Sequence, residues 1–137
     1  MTAYISVSFS QRNDLRKELR AIAGTLTRLN IRPFIFVDCY QFHPDQEKQM
    51  MEQALRDLNH CDLLIAETSH KGIGIGIEAG YAKAKGKPVI YVRQQNAAHS
   101  TTVSGISDFQ IVYADLYDLE KKLEDILAEI LSKKQAH

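Results

Sequence analysis

Glu78 is the only charged residue in the run Gly72-Ile73-Gly74-Ile75-Gly76-Ile77-Glu78-Ala79-Gly80. A carboxylate among glycines and small apolar residues invites two readings. One is structural: an acidic residue in the opening turn of a helix complements the helix dipole. The other is chemical. If the positive helix end keeps the carboxylate ionised and the missing side chains leave room, Glu78 can attack an anomeric carbon and form a glycosyl-enzyme intermediate. Gly74 and Gly76 serve either reading, by letting a helix pack closely on a sheet or by letting a ligand approach. Gly74 to Ala79 also fits the dinucleotide pattern GxGxxA, but it follows the third strand rather than the first, which weakens that match.

Two further segments carry hydroxyls and charge: Ser8-Phe9-Ser10-Gln11-Arg12 and Glu67-Thr68-Ser69-His70-Lys71. Tyr40 and Phe42 either stack on a ligand or pack at the rim. His43, His60 and His99 lack metal-ligand spacing, and Cys39 and Cys61 form no CxxC pair, so neither a metal nor another cofactor is expected.

The elements that must position these residues follow from periodicity. Tyr4 to Phe9 reads as a first strand, followed by a helix capped by Ser10 with Leu15, Leu19, Ile22, Leu26 and Leu29 on one face. Phe34-Ile35-Phe36-Val37 is a continuous apolar run, predicting a strand covered on both faces. Pro44 and Asp45 open a helix that buries Met51, Ala54, Leu55 and Leu58. Leu63 to Ala66 is the third strand, and the glycine turn leads into a helix closed by Gly86. Val89 to Val92 is the fourth strand, Arg93 to Ser107 a long polar loop, Phe109 to Tyr113 the last strand, and Leu116 to Ile130 an amphipathic helix. Strands alternating with helices predict an α/β three-layer sandwich with a five-stranded parallel sheet in flavodoxin-like or Rossmann-like order 2-1-3-4-5. In such a sheet ligands sit beyond the carboxyl ends of the strands where the order reverses, between the first and third strands. Both hydroxyl-rich segments converge there.

The 137 residues are expected to form a single domain spanning 1–137. Seventeen basic residues balance seventeen acidic ones, which disfavours nucleic acid as a partner. No apolar run reaches the length of a membrane span, and Met1-Thr2-Ala3-Tyr4 lacks a secretion signal, so a cytoplasmic protein without membrane contact is expected.

The stretch Gly74 to Ala82, with Cys61 to Glu67 before it and Gly86-Lys87-Pro88-Val89 after it, resembles the nucleoside 2-deoxyribosyltransferase family, which includes 2′-deoxynucleoside 5′-phosphate N-hydrolases. The resemblance extends to Tyr4 through Ser10 and to Ser100 through Gly105. It implies that Glu78 matches the family's catalytic glutamate, which attacks C1′ and displaces the base. It implies that Tyr4 and Ser8 line the sugar or phosphate pocket. Ser100 and Thr102 match a loop that enters a neighbouring subunit's site, so a homodimer with shared sites, or a higher oligomer, is expected. The chain departs from the pattern at Ala54, where the family carries an aspartate, at Ser10, where the hydrolases carry arginine, and at Gly72, where they carry serine. Asp57 and Glu67 are the candidates to stand in for the aspartate, and Ser8, Ser10 and Arg12 the candidates to bind a 5′-phosphate near a helix N-terminus. Alternatives are a nucleotide-binding or sensor module without turnover, and an NAD glycohydrolase like those of Toll/interleukin-receptor type.

Overall fold

The computed structural model of the chain describes residues 1–8 and 12–135. Ser10, and with it the expected cap of the first helix, lies outside the described residues. Five strands, β1 (Thr2–Ser6), β2 (Arg32–Ile35), β3 (Leu63–Glu67), β4 (Val89–Gln94) and β5 (Phe109–Tyr113), form one parallel sheet in the order β2-β1-β3-β4-β5. Helices α1 (Arg16–Arg28) and α6 (Leu116–Gln135) cover one face. Helices α2 (Phe36–Cys39), α3 (Glu47–Asn59), α4 (Ile73–Ala84) and α5 (Thr101–Ile106) lie on the other. This is the α/β architecture that the alternation of elements predicts.

Strand alternation divides the core. Ala3, Ile5, Leu63, Ile65, Ile90 and Val92 face α1 and α6, while Tyr4, Leu64, Ala66 and Tyr91 face α3 and α4. β3 is buried along its whole length, as a central parallel strand must be. Asn30, at φ 60°, and Gly86, at φ 73°, end the first and fourth helices in the left-handed conformation that halts helical hydrogen bonding. Asp62 Oδ2 accepts the Thr2 amide at 2.7 Å, tying the starts of β1 and β3 together.

Two sequence expectations are corrected. The run Phe34–Val37 is not a strand covered on both faces: β2 is an edge strand that ends at Ile35, and Phe36 and Val37 begin the helical turn α2. Pro33, which donates no ladder hydrogen bond, is tolerated at that edge. Arg93–Ser107 is not one long loop, because β4 continues to Gln94 and Ser100 caps α5 by accepting the Val103 amide. Among the described residues no helix is long and apolar enough to cross a membrane.

Candidate active site

The carboxyl end of β1 and the segment Lys71–Gly72 that follows β3 open onto a cavity of about 350 Å³. Its floor is β1: Tyr4 and Ser6 lie two residues apart and so project to the same side. One wall is the start of α4, where Gly74 and Glu78 are stacked one turn apart. The opposite wall is Phe36 and Val37 of α2 with Met50, Met51 and Ala54 of α3.

Glu78 reaches across to β1. Ser6 Oγ donates to Glu78 Oε1 at 2.7 Å, and the Tyr4 hydroxyl donates a short hydrogen bond to Oε2. Both donors are neutral, and no cation among the described residues pairs with the carboxylate. Burial raises its pKa above the ordinary 4.5, and the two hydroxyls oppose that rise without cancelling it. Burial and the adjacent Glu78 charge push the Tyr4 hydroxyl upward as well, so it remains an O–H donor. Its ring packs on Phe34 and Phe36, with centroids 5.5 and 6.4 Å away, which fixes where that donor points.

Glu78 stands in the second turn of α4, not the opening turn expected from sequence, so the dipole of that helix contributes little to it. The two hydroxyls orient the carboxylate instead. The glycines also resolve between their two readings. A Cβ at Gly74, Gly76 or Gly80 would meet nothing within 4 Å, so they clear space rather than permit close packing.

The remaining residues singled out in the sequence separate into groups. Ser8 and Gly74 line the Glu78 cavity. Gly76, Ser100 and Thr102 line a second cavity of about 490 Å³, which shares Lys71, Gly72, Ile73 and Ile75 with the first. Arg12 borders neither: its guanidinium grips Asp38 in a two-pronged pair at 2.7 and 2.9 Å. Ser69 Oγ accepts the Gln94 amide at 2.9 Å and faces no cavity of the site.

Glu67 is a correction. It is 0% exposed on the α1/α6 side of β3, the opposite side from Glu78. There it accepts from Tyr113 at 2.7 Å and from the Ser69 amide at 2.6 Å, and burial holds its pKa up. It cannot stand in for an acid in the Glu78 cavity. Asp57 does not line that cavity either; its Oδ1 accepts from Gln53 at 3.0 Å. Tyr40 and Phe42 pack against Phe36 with centroids 5.0 and 6.2 Å apart, making a rim cluster behind the wall. Sequence reading missed Ser6 and the cavity positions of Phe36, Val37, Met50 and Met51. The even spacing Tyr4, Ser6, Ser8 along one strand was the available signal for Ser6.

A family model described as nucleoside 2-deoxyribosyltransferase matches residues 4–125. The chain belongs to that family. Among its relatives is a Thermofilum pendens protein carrying the provisional name 2′-deoxynucleoside 5′-phosphate N-hydrolase 1, 33% identical over 85 residues. That alignment spans 58% of this chain and 59% of the relative's length. Two solved structures share the fold of the deoxyribosyltransferase family seen here. A Clostridium botulinum CMP N-glycosidase superposes with a TM-score of 0.63 at 20% identity, covering 90% of this chain and 98% of that one. A 2-deoxyribosyltransferase of Bacillus psychrosaccharolyticus superposes with a TM-score of 0.68 at 14% identity, covering 88% and 90%.

Proposed function

We propose that this deoxyribosyltransferase-family chain cleaves, or transfers across, the N-glycosidic bond of a nucleoside or nucleoside 5′-monophosphate, with Glu78 as the nucleophile. The observation that carries this reading is the Glu78 carboxylate at the cavity wall, oriented by Tyr4 and Ser6 and neutralised by no cation among the described residues. One carboxylate oxygen attacks C1′ as the bond to the base breaks, giving a glycosyl ester. Water then releases the sugar, or a second base takes it. The hydroxyls of Tyr4 and Ser6 keep the carboxylate aimed through both steps.

Lys71 and the free amides at the start of α4 provide the positive side of the cavity, suited to a 5′-phosphate. In the same reading, Gly74 admits the sugar beside Glu78. A second copy of the chain belongs to the proposal too: Ile73 and Ile77, 87% and 49% exposed, make an apolar ridge one turn apart on α4, and Ile73 lines the second cavity together with Ser100 and Thr102.

The test is base release from deoxynucleosides, ribonucleosides and their 5′-monophosphates by wild type and Glu78→Gln. The reading requires release by wild type that the variant loses. Equal release by both, or none by either, refutes it.

A further inference from the structure

The bond that Glu78 would attack breaks only if the base can accept the departing electron pair. A neutral purine or pyrimidine leaves as a nitrogen anion unless an acid protonates it, and such an acid is ordinarily worth about 10²–10⁴ in rate. The wall opposite α4 holds none. Phe36, Val37, Met50, Met51 and Ala54 are all apolar, and the titratable groups among the described lining residues are Tyr4, Lys71 and Glu78. Tyr4 already donates its proton to Glu78, and Lys71 belongs to the turn before α4, on the nucleophile's side. Three other carboxyls lie outside that lining: Asp38 pairs with Arg12, Glu67 is on the far side of the sheet, and Asp57 sits behind the wall, its Oδ1 accepting from Gln53 and its Oδ2 buried without a hydrogen-bond partner.

The same cavity is well matched to positive charge. Glu78 has no cationic partner among the described residues, and the facing wall presents an aromatic ring and two polarizable thioethers, surfaces that attract a flat cation. We infer that the preferred substrates are N-glycosides whose base is already cationic, such as a pyridinium or an N7-alkylated purine, joined to a sugar 5′-phosphate. This rests on the Glu78 reading above and adds the class of leaving group.

The step balances without an acid. A Glu78 oxygen bonds to C1′, the C1′–N bond breaks, and its electron pair neutralises the ring nitrogen, so the base departs uncharged. Water then attacks C1′, Glu78 leaves as carboxylate, and the water's proton passes to solvent.

The experiment measures base release by the full-length protein from nicotinamide mononucleotide and 7-methylguanosine 5′-monophosphate, beside CMP, dCMP, GMP and dGMP. Wild type, Glu78→Gln and Ala54→Asp are compared. The expected result is a kcat/KM at least about a hundredfold higher for one of the cationic substrates, the lower end of what a missing acid costs. Ala54→Asp, which places an acid in the wall, should narrow that gap by raising release of neutral bases. If a neutral base is released within about tenfold of the best cationic one, and Glu78→Gln abolishes that release, the leaving-group inference falls while the nucleophile stands. If Glu78→Gln changes nothing, or wild type releases no base at all, both fall together.

Discussion

Tyr4→Phe isolates the hydroxyl that orients Glu78. The ring is fully buried against Phe34 and Phe36, and phenylalanine preserves that packing while deleting one donor. Glu78 Oε2 then loses its partner, leaving the carboxylate with Ser6 alone. A hydrogen bond to a charged group is worth about 1.5–3 kcal/mol. Expressed wholly in the transition state, that is a loss of roughly 10- to 150-fold in kcat/KM at neutral pH. There is a second signature. Burial already raises the Glu78 pKa and the Tyr4 hydroxyl opposes the rise, so its removal sends the pKa higher. Because the nucleophile must be ionised, activity is lost as pH falls through that pKa, and the acid limb of the variant moves toward neutral pH. The assay is base release from a nucleoside monophosphate across a pH series, for wild type and variant, with circular dichroism to confirm folding. A folded variant with an unchanged rate and an unmoved acid limb would refute the assigned role of Tyr4.

Three other outcomes follow from the same geometry. Gly74→Ala meets no steric conflict and should stabilise the chain by up to about 0.5–1 kcal/mol, while its methyl group projects beside Glu78 and raises KM; denaturant melts and kinetics on one preparation check both halves. Glu67 has a folded pKa raised above its ordinary 4.5, so its favourable contribution is complete below that value and is lost as pH rises through the folded one. Glu67→Gln should therefore raise the melting temperature at neutral and alkaline pH more than in mild acid, and a melting series against pH reads this directly. Arg12→Ala breaks a partly exposed ion pair with Asp38 and should cost no more than about 1 kcal/mol, with base release unchanged, since its guanidinium borders neither cavity.

Much of this was legible in the sequence because parallel α/β folds write their order plainly. Buried strands are continuous apolar runs, and the helices between them carry stripes at three- and four-residue steps. The glycine run identified α4 and singled out Glu78. Other features were illegible for a common reason: apolar residues look alike whether they fill a core or line a cavity. Phe36 and Val37 read as strand interior, yet they leave the sheet at its edge and wall the site. Met50, Met51 and Ala54 share the pattern of a core stripe, and only the gap between α3 and α4 distinguishes them. Glu67 and Glu78 are both carboxylates beside small residues. A strand buried on both faces gives no polar alternation to show which side Glu67 occupies, so only the sheet's register separates it from Glu78.

The most direct test of the Glu78 nucleophile is to trap its product. Wild-type protein is incubated with a 2′-fluorinated nucleoside monophosphate chosen to slow breakdown of the intermediate, quenched in acid, digested and examined by mass spectrometry. One sugar phosphate should be added to the peptide that contains Glu78, and none in Glu78→Gln. Base release accompanied by no adduct, or by an adduct on another residue, would contradict Glu78 as the nucleophile.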